Sequence, residues 1–298
     1  MAYRIKPDES VPHAVRRIAR AQLRKAVENL IGAGGDEAVH EARKSIKKTR
    51  ALLRLVRPSL DGVYRKENSR LRDAGRTLSP LRDAGAMIGT LDTLQQHANG
   101  ELSSREVAPV RRALLVQKQQ LQQEVGHPEF LREVAAALEQ TRRSARQWDL
   151  NAGGFPAIEP GLERTFRAGK EAFHRAWKTQ TREDLHEWRK RVKDHWYQVR
   201  LLENLWCGVF QGYENSLKEL ESALGEGLNL TILRHRISAA AAGRQPVSVI
   251  DLLDRAIDAS RKDLRGRAFE IGAKVYAEKP RELTRQFARL WRQWRKLA

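Results

Sequence analysis

The sequence predicts an all-α protein made of two similar helical halves. Three observations carry that expectation. Apolar residues recur at i, i+3, i+4 and i+7 through most of the chain, and Val and Ile never cluster in the period of two that a strand requires. Gly and Pro punctuate these periodic stretches. The chain also matches itself at a constant offset of 146 residues.

Taken in order, a helix near 11–31 ends at the Gly32 to Asp36 break, and a second near 37–57 ends at Pro58 to Gly62. A third near 62–78 stops at Ser79-Pro80, a fourth spans 81–98, and a fifth near 103–125 gives way at Gly126 to Pro128 to a sixth near 129–148. The stretch Asn151 to Gly161, NAGGFPAIEPG, has no helical period and reads as a linker. Beyond it come helices near 160–179, 182–205, 210–224, 227–241, 246–277 and 281–296, with breaks at Gly243 to Pro246 and at Pro280. Short connections favour antiparallel neighbours, so the expected architecture is two antiparallel bundles, 1–150 and 162–298, joined by 151–161.

Composition narrows the function. The 298 residues include 56 Lys plus Arg against 37 Asp plus Glu, a formal net charge of +19. Residues 1–150 hold 28 basic and 18 acidic side chains, and residues 151–298 hold 28 and 19, so the excess belongs to both helical halves and not to a tail. A single cysteine, Cys207, rules out a disulfide framework and a cysteine zinc site. The mean hydropathy is −0.63. No apolar run approaches the roughly 20 residues that span a bilayer. The N-terminal residues lack an apolar signal core, so a cytoplasmic location is expected. The charge calls for an acidic partner.

The repeat shows where that partner sits. Val39-His40-Glu41-Ala42-Arg43-Lys44-Ser45-Ile46-Lys47 aligns with Leu185-His186-Glu187-Trp188-Arg189-Lys190-Arg191-Val192-Lys193. On a helical wheel Arg43, Lys47, Arg50 and Arg54 share one flank with His40, and Lys44 lies on the other side of the histidine. Ile46, Leu53 and Ala42 form the opposing apolar face, and the cationic ribbon runs roughly 21 Å. The second copy repeats it with His186, Arg189, Lys190, Lys193 and Arg200. Residues 39–57 contain seven basic side chains and one acid, so counter-charges on the helix itself are mostly missing. An anion shared between two facing ribbons would offset that repulsion. Phosphate suits these side chains: Arg binds its oxygens in pairs and Lys adds mobile point charge.

His40 and His186 head the two ribbons, where they would donate hydrogen bonds to phosphate and have their pKa raised by the bound anion. Neither has a second His at i+3 or i+4, nor a neighbouring Ser or Cys arrangement that would make it a catalytic base, so no metal site and no catalytic residue is expected. Weaker candidates for an extended basic surface are Arg16, Arg20 and Arg24 on the first helix, Arg72, Arg76 and Arg82 before the fourth, and Lys170 with His174 on the first helix of the second half. His195 falls on the apolar side and is expected in the core or at an interface.

VHEARKSIKKTRALLRLV followed by LRDAGRTLSPLRDAGAM, then LHEWRKRVKDHWYQVRLL followed by LKELESALGEGLNL, resembles the CHAD family, the conserved-histidine α-helical domain. The resemblance implies two four-helix-type bundles about a pseudo-twofold axis, with basic helices lining a central groove or pore. It implies non-catalytic binding of inorganic polyphosphate there, and association with polyphosphate granules. The residues it assigns to polyphosphate are His40, Arg43, Lys44, Lys47, Arg50 and Arg54, with His186, Arg189, Lys190, Lys193 and Arg200. Asp194 and Trp196 interrupt the second ribbon, so the first half is expected to contribute more.

The alternative is sequence-independent RNA or DNA binding, or general polyanion binding, although no nucleic-acid motif is present. A phosphohydrolase or kinase ranks lower still, because neither a nucleotide loop nor clustered acids for Mg²⁺ can be found. No cofactor is expected.

Overall fold

Helices begin where the sequence supplies caps. Ser10 accepts the amide of His13 at 3.3 Å to start α1 (Val11–Ile31), and Thr181 accepts the amide of Asp184 at 3.3 Å to start α8 (Arg182–Leu202). The computed structural model describes residues 3–32, 35–60, 62–98, 102–125, 127–240 and 247–297. The other helices are α2 (Gly35–Leu55), α3 (Val63–Thr77), α4 (Ser79–His97), α5 (Ser104–Val125), α6 (Pro128–Ser144), α7 (Glu159–Thr179), α9 (Cys207–Ala240), α10 (Val247–Val275) and α11 (Pro280–Lys296). The described residues contain no strand, and the protein is all-α.

The repeat is visible in the elements. α1 and α7 have 21 residues each, as do α2 and α8, while α6 and α11 have 17 each. Short 3₁₀ turns follow the basic helices at Arg57–Ser59 and Glu203–Leu205, again 146 residues apart. One expected break is absent. Gly225-Glu226-Gly227 does not separate two helices; α9 runs unbroken across it for 34 residues. Gly225 is there because α8 comes close: a Cβ at this position would lie 2.7 Å from Nη2 of Arg189. What reads as a breaker is a contact.

The connecting segment is packed. The Asn151 amide donates to the Ser59 carbonyl at 3.1 Å, and the Ser59 hydroxyl donates to the Ala157 carbonyl at 3.1 Å. Phe155, Ala157 and Ile158 are buried, and a Cβ on Gly161 would sit only 1.7 Å from the Leu55 carbonyl oxygen. The N-terminal residues cross to the second half: the Ile5 amide donates to Leu201 at 3.0 Å and Arg4 pairs with Glu203 at 2.6 Å. Arg295 of α11 donates to the carbonyls of Pro7 and Glu9.

The apolar clusters follow this interlocking. The larger one joins α1, α2, α3 and α6 with α7, α8, α11, the near end of α9 and the far end of α10. A second joins α4 and α5 to the far end of α9 and the near end of α10, through Met87, Leu91, Val110, Leu233, Leu253 and Ile257. Each core therefore draws on both halves, and α2 packs directly on α8.

Candidate functional site

The two basic helices meet along a seam. The apolar faces of α2 and α8, Ala42, Ile46 and Leu53 on one and Trp188, Val192 and Val199 on the other, are buried, which leaves the cationic flanks half-buried beside them. At its centre are two pairs related by the repeat, Lys47 with Lys193 and Arg43 with Arg189. Burial, and then the fields of Lys193, Arg43 and Arg189, push the Lys47 ammonium down to about 7. Glu221 of α9 opposes them: one of its oxygens lies 2.8 Å from Arg189 Nη2 and 2.6 Å from Lys193 Nζ. Burial alone would raise Glu221, but Lys193 and Arg189 outweigh it and hold the carboxyl below its ordinary range.

The partners follow the repeat but change chemistry. Arg43 donates to the Gly75 carbonyl, and to the Ser79 hydroxyl at 2.7 Å; the equivalents of those two residues are Glu221 and Gly225, which Arg189 meets. Arg50 donates to Asn68 at 3.1 Å, and in the second half Trp196 donates to Glu214 at 3.3 Å. Arg200 pairs with the same Glu214 at 3.0 Å and lies 5.8 Å over the Trp196 ring. Arg54 reaches across the seam to Asp194 at 2.8 Å. Burial raises the Asp194 carboxyl above its ordinary value, with Arg54 the strongest opposing influence. Burial followed by Arg54 lowers the Arg50 guanidinium to about 10.

Lys44 and Lys190 turn to carboxylates one turn back, Glu41 at 2.9 Å and Glu187 at 2.6 Å. Glu41 also accepts Lys25 of α1 at 2.6 Å, and hydrogen bonds from Lys25 and Lys44 hold it down to about 2. The ribbons are thus less bare than their own helices suggest, because counter-charges arrive from neighbouring elements. His40 is half-buried and His186 more open, each near the start of its helix. Partial burial, then Lys190 and Arg189, pulls His186 below its ordinary value, opposite to the rise expected once an anion binds.

One contributor was missed. Lys48 is half-buried, with its ammonium pushed to about 8 by burial and then by Arg200, Lys44 and Lys25. Its repeat counterpart is Asp194, so Lys48 faces Arg200 where Asp194 faces Arg54. The wheel already places Lys48 just beyond Lys44, which was signal enough.

The weaker candidates scatter. Arg16, Arg20 and Arg24 lie on a separate groove between α1 and α6. Arg72 is exposed and held by Asp73 at 2.9 Å, and Arg76 is exposed on α3. Lys170 donates to the Glu278 carbonyl at 2.9 Å, beyond the end of α10, and His174 is exposed beside Phe173. The Arg82 side chain lies outside the described residues. His195 is buried and bonded to the Tyr213 hydroxyl at 2.8 Å, with burial lowering it to about 3, so it is a neutral core histidine.

A helical protein with a paired cationic seam is a class that comparison with known proteins makes specific. The family model of the CHAD domain matches residues 17–238, and the chain belongs to that family. Among solved structures, PptA from Streptomyces chartreusis superposes with a TM-score of 0.62 at 15% identity, covering 91% of this chain and 100% of that one. The CHAD domain from the plant Ricinus communis superposes with a TM-score of 0.57 at 15% identity, covering 93% of this chain and 95% of that one. At that identity the likeness is one of fold. No curated protein matches the chain. No helix among the described residues is long and apolar enough to cross a membrane.

Proposed function

We propose that this protein binds inorganic polyphosphate along the α2–α8 seam, as a non-catalytic module of the cytoplasm that polyphosphate granules would recruit. The observation that carries the reading is the convergence of Arg43, Lys47, Arg189 and Lys193 on a half-buried site, with Glu221 opposing them at Lys47. Crowding four cations this way costs folding free energy, as the depressed Lys47 shows, and a polyanion laid along the seam returns it. Arg54, Arg200, Lys48 and the two histidines extend the row along both helices. Asp194, Glu214 and Glu221 are each held by arginine or lysine, which favours binding over metal-assisted chemistry.

The test is a titration of long-chain polyphosphate against single-stranded RNA at equal phosphate concentration, near physiological salt and with EDTA present. Polyphosphate should bind more tightly, with EDTA making no difference. Equal affinity would make the protein a general polyanion binder. Loss of binding in EDTA would require a metal.

A further inference from the structure

A second cationic feature lies outside the seam. Arg16, Arg17, Arg20 and Arg24 of α1 face Arg142 and Arg146, at and just beyond the end of α6, across an open groove of about 470 Å³. Two of the six are committed to the fold. Arg17 is clamped by Glu9, with Nε at 2.8 Å, and Arg142 is held in a two-point pair by Glu139 at 2.6 and 2.7 Å. The other four keep donors for a ligand. Arg16 gives one nitrogen to the Trp148 carbonyl at 3.1 Å, and Arg24 has only a loose, exposed contact with Glu28 at 3.7 Å. Arg20 and Arg146 have no carboxylate within ion-pair distance among the described residues, and Nε of Arg20 is sealed from solvent without an acceptor.

Val15 and Ala19 of α1, like Leu162 and Phe166 of α7, take the buried positions, which leaves Arg16 and Arg20 on the groove side of the helix beside each other's fields. An anion in the groove would neutralise the arginines together through the guanidinium nitrogens that line it. Arg16, Arg20 and Arg24 follow one another along α1 over about 12 Å. That length fits a short run of phosphates better than a single oxyanion.

We propose that the α1–α6 groove is a second anion site, separate from the seam, that takes a short linear run of phosphates through Arg16, Arg20, Arg24 and Arg146. The run is either a free oligophosphate or the phosphate tail of a nucleotide. The inference stands on the groove alone and does not depend on polyphosphate binding at the seam.

Calorimetric titration of the full chain with inorganic triphosphate, and in a second arm with ATP, both in EDTA, tests it. Three proteins are compared: wild type, a seam variant carrying Lys47→Met and Arg189→Met, and a groove variant carrying Arg20→Met and Arg146→Met. Triphosphate should bind wild type and the seam variant alike, and bind the groove variant more than about tenfold more weakly. Arg146→Glu alone, on an exposed turn, should also weaken it, which guards against a folding defect from Arg20→Met. Equal binding of ATP identifies the nucleotide tail as an acceptable source, and exclusion of ATP identifies the free chain. Triphosphate binding that is lost in the seam variant and kept in the groove variant overturns the proposal, as does no binding to wild type at millimolar concentration. Long-chain polyphosphate that binds the seam variant as tightly as wild type would refute the seam reading and leave the groove result intact.

Discussion

Polyphosphate binding should take up a proton near neutral pH, and Lys47 should be the residue that receives it. In the unliganded protein its ammonium titrates at about 7, lowered first by burial and then by Lys193, Arg43 and Arg189, with Glu221 opposing. A bound phosphate run beside it restores the charged form, so affinity follows the fraction of Lys47 that is already protonated. With one such site, the dissociation constant should rise roughly 30-fold between about pH 6 and pH 8.5, approaching tenfold per unit above pH 7. The interior phosphates of a long chain stay ionised throughout. The linkage also acts on the fold. Unfolded Lys47 binds its proton up to its ordinary value of 10.5, so the unliganded protein gains stability as pH rises from about 7 toward 10.5 and loses it on the way down. Calorimetry in two buffers of different ionisation enthalpy reads the proton uptake directly. Lys47→Arg should flatten the profile and keep affinity; Lys47→Met should flatten it and lose affinity. An unchanged pH slope in Lys47→Met would refute the reasoning.

Three further outcomes follow from the same geometry. Glu221→Gln frees Arg189 and Lys193 from their shared carboxylate, so polyphosphate affinity should rise severalfold and the salt dependence steepen by about one counterion, read from titrations at several salt concentrations. Arg54→Ala leaves Asp194 buried without its ion-pair partner and should cost about 3–5 kcal/mol in urea denaturation, much of it recovered by adding Asp194→Ala. Gly161→Ala places a methyl group 1.7 Å from the Leu55 carbonyl oxygen and should cost about 3 kcal/mol or more in thermal stability.

Much of the fold was legible because helices announce themselves locally. α1 and α7 fall within a residue of where periodicity puts them and α2 and α8 within three, and the offset of 146 found both basic helices. Local rules failed where tertiary contact sets the residue. Gly225 and Gly161 read as breaker and linker, yet each is a site of close approach, by Arg189 and by the end of α2. The ribbons themselves were legible as ribbons, but their counter-charges were not. Glu214 and Glu221 come from α9, and Asp194 meets an arginine 140 residues away, distances that no helical wheel spans. The repeat carried a usable hint: Lys48, Asn68 and Gly75 occupy the first-half positions of Asp194, Glu214 and Glu221. Three carboxylates confined to one copy mark it as the partly neutralised wall.

The account rests on the seam, and not the total charge, holding the polyanion. The direct measurement compares long-chain polyphosphate binding by Lys47→Glu with Lys193→Glu against Arg132→Glu with Lys262→Glu, two exposed positions away from the seam that change net charge equally. The seam pair should weaken binding by about a hundredfold or more and the distant pair by less than about threefold. Equal losses in the two proteins would contradict the account.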